Sequence, residues 1–277
     1  VFRQSDPRFM KSFSSQLDLT VNIAVNAHPA DSSILQTAGL YYLVTDRKEA
    51  AADAFKKVMT EFPDNVGATA SYIQTLLYIN DWDKVVSACD SAMVRFPQEA
   101  GFLEFANAAE FNRKNYSAVI ENCVKMLRIA PTDSATFVTA WSTIGDMYHL
   151  LGDQTKAFKS YETALKVAPD NAPVLNNYAY YLSVEGKKLK KAYAMSKKTV
   201  EAEPDNATYL DTFGWILYLQ GKALEAKPFF KHAMLYGGKD SATILDHYAT
   251  VLEAVGEKDL AKVYRQQAKN KASEGKE

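Results

Sequence analysis

Apolar and small residues recur along this chain with the period of an amphipathic helix. In residues 141–148 they occupy positions i, i+3, i+4 and i+7, at Trp141, Ile144, Gly145 and Tyr148, which is one face of a helix. Gly152 interrupts the pattern as a glycine at the end of a helix does, and the same spacing resumes in residues 157–164. The stretch therefore predicts two helices joined by a tight turn, each with one apolar face.

This two-helix unit repeats with a period that prolines mark. Four successive prolines are spaced 34 residues apart, and intervals of 38 and 35 residues lead to two more. They are Pro29, Pro63, Pro97, Pro131, Pro169 and Pro204. A period of about 20 to 50 residues indicates an array of stacked units, each too small to bury its own apolar face.

Eight positions of the unit carry a specific pattern of residue types. In residues 141–169 they read Trp-x2-Ile-Gly-x2-Tyr, then Ala, an aromatic residue, Ala and Pro. This pattern resembles the tetratricopeptide repeat (TPR) family. It recurs clearly in units that begin at Leu35, Leu175, Leu210 and Leu245, and by period alone in two degenerate units that begin at Thr69 and Leu103. The resemblance implies an all-α, right-handed superhelical solenoid of antiparallel helix pairs, with about seven repeats plus an N-terminal helix.

The repeat register divides the chain into four segments. We expect an N-terminal helix or partial repeat in residues 1–31, with Asp6 as N-cap and Pro7 as its first residue. Residues 32–131 are expected to form three TPR repeats, of which the second and third are degenerate. Residues 132–268 are expected to form four repeats with a capping last helix, followed by a frayed tail at 269–277. The 38-residue interval predicts a longer first helix or a kink near residues 132–138.

Each unit also has a turn residue between its two helices. This position is expected to end the first helix in the manner of a C′ residue, which favours glycine. The turn residues are Asp46, Asn80, Lys114, Gly152, Gly186, Gly221 and Gly256.

In the TPR family the first helices line a concave groove, and ligand contacts come mostly from residues beside the packing positions. Carried over position by position, the resemblance gives an acidic and aromatic set in the C-terminal half. The set is Asp146, His149, Asn176, Tyr180, Asp211, Trp215, Tyr218 and Asp246. Such a surface suits an extended peptide or a partner helix, and its carboxylates favour a neutral or basic ligand.

A second interpretation gives the same residues structural roles. Asp211 and Asp246 would stabilise helix N-termini as first-turn carboxylates, and Trp215 and Tyr180 would pack against neighbouring second helices. The sequence leaves both interpretations open.

Composition and charge exclude several classes of function. A formal net charge of −1 argues against nucleic acid or an anionic membrane as the main partner. No apolar run reaches the roughly 18 residues of a membrane span. Cys89 and Cys123 occupy one register of neighbouring repeats and are interpreted as core residues, because adjacent equivalent helices are too far apart for a disulfide.

The residues needed for catalysis are scarce. The four histidines are scattered without ligand spacing, and neither cysteine has a base predicted nearby, so we expect no enzyme, no metal site and no cofactor. The first hypothesis is a scaffold that binds a protein or peptide in the groove. The second is a structural or assembly subunit of a larger envelope complex that acts through self-association or docking.

The resemblance also touches location and processing. Residues 176–180 and 211–215 resemble bacterial, envelope-associated TPR proteins, which implies a periplasmic or outer-membrane-associated protein, with a cytoplasmic location as the alternative. The chain opens at Val1 without a methionine or a signal-like segment, and we expect a processed or trimmed piece of a longer product.

Overall fold

The computed structural model describes residues 7–186 and 188–274, with backbone alone for residues 7–13. This part of the chain contains fifteen α-helices and one short 3₁₀ turn, at Gly238–Asp240. The helices are α1 (Pro7–Ala27), α2 (Ser32–Val44), α3 (Lys48–Glu61), α4 (Val66–Tyr78), α5 (Trp82–Arg95), α6 (Gly101–Asn112), α7 (Tyr116–Ile129), α8 (Ser134–Leu150), α9 (Gln154–Val167), α10 (Ala172–Val184), α11 (Leu189–Ala202), α12 (Ala207–Leu219), α13 (Ala223–Ala233), α14 (Ala242–Ala254) and α15 (Lys258–Glu274).

The helices pack as consecutive pairs within two compact units, which meet in sequence between Leu151 and Gly152. In the first unit the pairs are α2/α3, α4/α5 and α6/α7, and in the second they are α10/α11, α12/α13 and α14/α15. The prediction of an all-α fold built from tandem helix pairs is confirmed. None of the described helices is both long and apolar enough to span a membrane. The segment boundaries drawn from the repeat register remain a prediction.

The longer helix expected near residues 132–138 is present. α8 has 17 residues, whereas the first helices of the other pairs have 12 or 13, and it begins at Ser134. The additional residues therefore extend the helix at its N-terminal end. At the chain ends, α1 is described from Pro7 and α15 to Glu274. Asp6 lies outside the described residues, so its role as N-cap remains a prediction.

Polar side chains and prolines set where each pair starts and stops. The residue before each repeat proline leaves the helical region, as at Phe62 with ψ 69° and Ala168 with ψ 78°. In several repeats the following first helix is then capped by a side chain, since Asp31, Asn171 and Asn206 each accept hydrogen bonds from first-turn backbone N–H groups. The helix α6 is an exception, without a side-chain cap at Ala100. Local chemistry thus fixes the repeat register.

The turn inside each pair has the left-handed backbone that the sequence predicts. All seven turn residues have positive φ, from 58° at Asp46 to 88° at Gly256. At Asp46 the hydrogen bonds are those of a Schellman motif, because Arg47 N donates to Tyr42 O at 2.7 Å and Asp46 N donates to Leu43 O at 3.0 Å. Three of the seven positions, at Asp46, Asn80 and Lys114, adopt this conformation without glycine.

Inside a pair, a glycine on the first helix lets an aromatic ring of the second helix approach. A Cβ added at Gly39 would lie 2.7 Å from the Phe55 ring, and one added at Gly214 would lie 2.7 Å from the Phe230 ring. Both rings are buried. The close approach of the two backbones therefore depends on the absence of a side chain at these glycines.

In the degenerate repeats the larger of the two facing side chains lies on the first helix instead of the second. In α4/α5 the first helix carries the larger residue, Ile73, and the second carries Cys89, and both are buried. In α6/α7 the Asn107 side chain lies 3.6 Å from the Cys123 sulfur. Burial raises the pKa of Cys89 to about 12 and of Cys123 to about 11, so both free thiols stay protonated core groups, as expected.

The N-terminal helix α1 is attached through one carboxylate. Asp18 accepts hydrogen bonds from the buried Tyr41 hydroxyl at 2.7 Å and from Arg47 Nη2 at 2.6 Å. The hydrogen bond from Tyr41, followed by the contact with Arg47, holds the pKa of Asp18 below its ordinary value. This carboxylate joins α1 to the α2/α3 turn.

We expect Lys114→Gly to stabilise the protein by about 1 kcal/mol, because glycine removes the strain of a side chain at φ 60°. The measurement is the urea midpoint from far-ultraviolet circular dichroism. Lys114→Ala is the matched control and should leave the midpoint nearly unchanged, since alanine keeps that strain. A midpoint for Lys114→Gly at or below that of the unmodified chain would contradict the prediction.

We expect Gly214→Ala to destabilise the protein by about 1–3 kcal/mol, because the new methyl group meets the buried Phe230 ring. The double variant Gly214→Ala/Phe230→Leu should lose less stability than the sum of the losses of the two single variants, because leucine leaves room for the new methyl group. The measurement is a double-mutant cycle by urea unfolding. Gly101→Ala, where an added Cβ meets nothing within 4 Å, is the control and should not destabilise. Strict additivity of the two substitutions would refute the steric explanation.

Candidate partner-binding groove

The eight predicted groove residues lie on four helices in the two units. Asp146 and His149 are half-buried on α8 in the first unit. The other six lie in the second unit on the first helices of its three pairs. They are Asn176 and Tyr180 on α10, Asp211, Trp215 and Tyr218 on α12, and Asp246 on α14.

The second unit contains a nearly buried acid–base pair that joins α12 to α14. His247 Nδ1 lies 2.9 Å from Asp211 Oδ1, and the exposed fractions of the two side chains are 12% and 8%. Because a carboxylate can only accept, Nδ1 carries the proton of this bond. The bond therefore orients His247 with one ring nitrogen left over.

Aromatic rings hold the imidazole in place on the groove side. The Trp215 ring stacks on His247 with centroids 3.9 Å apart and planes 14° apart, and Tyr218 lies 5.1 Å from Trp215. The Tyr180 ring lies 6.4 Å from His247. We call Tyr180, Asp211, Trp215, Tyr218 and His247 the His247 cluster, which consists of four rings and one carboxylate.

The Tyr180 phenol keeps its proton. Burial, and after it the nearby charge of Asp211, raises the pKa of Tyr180 above its ordinary value. The hydroxyl therefore remains a hydrogen-bond donor beside the carboxylate.

Asn176 precedes Tyr180 by one turn of α10 and is 4% exposed. Its Oδ1 atom has no hydrogen-bond partner among the described residues. Leaving a buried amide oxygen unpaired costs roughly 1–3 kcal/mol. An N–H donor brought by a ligand would remove that cost.

Asp246 lies outside the cluster. Its side chain is exposed, and Arg265 Nη1 of α15 lies 3.7 Å from its carboxylate, while Arg265 Nη2 donates to Glu253 at 3.0 Å. On α14 it is therefore His247, the next residue along the chain, that contacts Asp211, and the assignment of Asp246 to the groove remains a prediction.

The alternative structural interpretation is wrong in its details. Asp211 and Asp246 are each the fifth residue of their helix, beyond the first turn, so they are not the first-turn carboxylates it assumed. Trp215 stacks on a ring of α14, which is a first helix rather than a second one.

Sequence reasoning missed His247 because it treated the histidines as scattered. His247 follows Asp211 by 36 residues, one repeat plus one position, whereas the groove columns follow positions one repeat apart. This one-residue offset could have identified His247, because side chains that touch between neighbouring first helices need not occupy equivalent positions of the repeat.

The first unit has an apolar groove face of its own. Leu40, Val44 and Tyr78 are 51%, 53% and 57% exposed and line a groove of about 420 Å³ between α2 and α4. Lys48 Nζ lies 4.2 Å from the centre of the Tyr78 ring. Among the described residues, no cluster of three or more His, Cys, Asp or Glu side chains has the arrangement of a metal site.

Solved structures share this fold at low sequence identity. A tetratricopeptide repeat protein from Parabacteroides merdae aligns at 13% identity and TM-score 0.68, covering 86% of this chain and 92% of that one. The APC/C hetero-tetramer Cut9–Hcn1 aligns at 14% and 0.60, covering 93% and 50% of the respective chains. BtubC from P. vanneervenii aligns at 16% and 0.56, covering 71% and 90%. These likenesses concern the fold alone.

The sequence itself matches a model of the tetratricopeptide repeat family over residues 102–273. No curated protein matches it. Since the family match spans more than half of the chain and agrees with the helix pairs, turns and groove described above, the chain belongs to the tetratricopeptide repeat family.

Proposed function

We propose that this protein is an interaction scaffold that binds an extended segment of a partner protein against the His247 cluster and Asn176. The TPR fold is a general scaffold for protein–protein interaction, and proteins of this family are typically not enzymes. The specific site and its ligand are our proposal.

The observation that carries the proposal is the nearly buried Asp211–His247 pair under the Trp215 ring. Tryptophan and tyrosine are enriched among residues that dominate binding energy, because they contribute a large contact area with little loss of conformational freedom. Stacking and the carboxylate bond restrict His247 before any ligand arrives. Binding at this site therefore loses less conformational entropy than binding to mobile surface side chains.

One polar atom indicates what kind of segment fits. Asn176 Oδ1 is a buried acceptor without a partner among the described residues. Backbone N–H groups of an extended segment are the matching donors. An extended segment satisfies this acceptor better than a partner helix does, because the N–H groups of a helix are already bonded within it.

Charge favours a neutral or basic segment. Asp211 is buried next to the rings, and Asp246 and Glu253 lie on the exposed part of α14 with Arg265 as their shared cation. Acidic side chains therefore outnumber basic ones along α12 and α14. Asp146 and His149 of the first unit remain proposed groove residues.

A role in assembly is the second candidate. The exposed apolar side chains Leu40, Val44 and Tyr78 of the first unit favour docking to another subunit, because contiguous exposed apolar groups often mark interfaces. Light scattering across a concentration series tests self-association through this face. If the protein is a monomer at every concentration, the assembly role would require docking to a different protein.

We expect Trp215→Ala to reduce capture of partner proteins from a native extract by roughly tenfold or more, since it removes the central ring of the cluster. Asn176→Ala should weaken capture of the same partners. The measurement is quantitative mass spectrometry of captured proteins, after circular dichroism confirms folding.

Leu224→Ala is the matched control, because Leu224 is 77% exposed on a second helix and lies outside the groove columns. It should leave capture unchanged. If Trp215→Ala captured every partner as well as the unmodified chain does, the His247 cluster would not be the binding site.

A further inference from the structure

A second site of different chemistry lies in the first unit, away from the groove columns. A cleft of about 780 Å³ separates α3 from α5 and has α4 beneath it. Its apolar lining comes from Met59, Ala88, Val94 and Phe96. Volumes of about 300–1,000 Å³ with mostly apolar walls are typical of sites for small molecules.

A tyrosine of α4 supplies a hydrogen-bond donor to the cleft. Tyr72 is 8% exposed and lines the cleft. Burial raises the pKa of Tyr72, so the phenol keeps its proton. Its hydroxyl can therefore donate a hydrogen bond to an oxygen atom of a ligand in the cleft.

The cleft is lined by cations and by no carboxylate. Lys56, Lys84 and Arg95 all contribute to its walls. Lys84 binds Asp81 at 2.6 Å, whereas Lys56 and Arg95 have no ion-pair partner among the described residues. Asp53 and Asp81 lie close enough to act on Tyr72 without lining the cleft. Two unpaired cations therefore remain for a ligand.

We propose that this cleft binds a small amphipathic carboxylate, whose apolar body lies on Met59, Val94 and Phe96 and whose carboxylate accepts a hydrogen bond from Tyr72. Arg95 and Lys56 attract the anion and disfavour a cation of the same shape. The volume of the cleft and its mostly apolar lining favour a small molecule over a protein segment laid across the surface. The proposal is independent of the groove function in the second unit.

Isothermal titration calorimetry with decanoate on the full chain tests this proposal. The unmodified protein should bind decanoate and should bind decyltrimethylammonium, with the same chain length and opposite charge, at least roughly tenfold more weakly. Tyr72→Phe keeps the ring and removes the donor, and Arg95→Gln removes one cation. Each should weaken decanoate binding by roughly tenfold.

Two matched variants separate these effects from general changes. Tyr209→Phe removes a buried hydroxyl from the second unit, and Arg128→Gln removes a last-turn arginine from α7, so both should bind decanoate like the unmodified protein. The proposal is overturned if decanoate does not bind, if the cation binds equally well, or if Tyr72→Phe and Arg95→Gln leave binding unchanged. It would also be overturned, in favour of a protein ligand, if the protein did not bind decanoate but captured from extracts a partner protein that Tyr72→Phe and Arg95→Gln failed to capture.

Discussion

The close approach of the two helices in each pair is the contact on which the rest of this structure depends. In two regular repeats an aromatic ring of the second helix occupies the space left by a glycine of the first, as Phe55 does at Gly39 and Phe230 does at Gly214. Interiors are packed so densely that neither volume can change alone. The degenerate α4/α5 pair reverses the sizes, with the larger Ile73 on the first helix opposite Cys89 on the second. In α10/α11 the equivalent positions hold the buried Ala179 and Ser196. Several residue combinations therefore fill this contact, and the repeat continues through helix pairs whose sequence pattern is weak.

Packing within the pairs does not involve one face of each first helix. Positions 211 and 176 are equivalent in the register, and the same position holds Gln36, Ala70 and Glu104 elsewhere, so helix pairing does not require a particular residue there. Freedom from the packing constraint allows the second unit to place a carboxylate, an amide and several rings side by side. The cleft in the first unit lies on the opposite side of the helix pairs, between the second helices α3 and α5. Helix pairing does not restrict the charges that line it either.

The fold was predictable because its determinants are local. Caps such as Asn171, turn residues such as Lys114, and the 3.6-residue period all act within a few positions of the chain, and the structure confirms them. The long α8 followed from counting residues between prolines. The candidate site was predictable only in part, since its helices followed from the repeat register whereas its contacts did not. His247 lies one position beyond the column that the register suggests, and the place of Tyr72 in the cleft depends on which neighbours approach it, which no local pattern records.

The Asp211–His247 pair is better explained by recognition than by stability. Placing a charged or strongly polar pair in a nearly buried position involves a desolvation cost that its mutual attraction often fails to recover, so apolar residues of similar size commonly serve stability as well or better. Equivalent positions of neighbouring repeats show that packing tolerates other residues there. The bond from His247 to Asp211 fixes the ring under Trp215, and Asn176 Oδ1 on the neighbouring first helix has no hydrogen-bond partner among the described residues. A rigid aromatic surface with an unpaired acceptor contributes little to folding, and it suits the extended segment that we propose as its ligand.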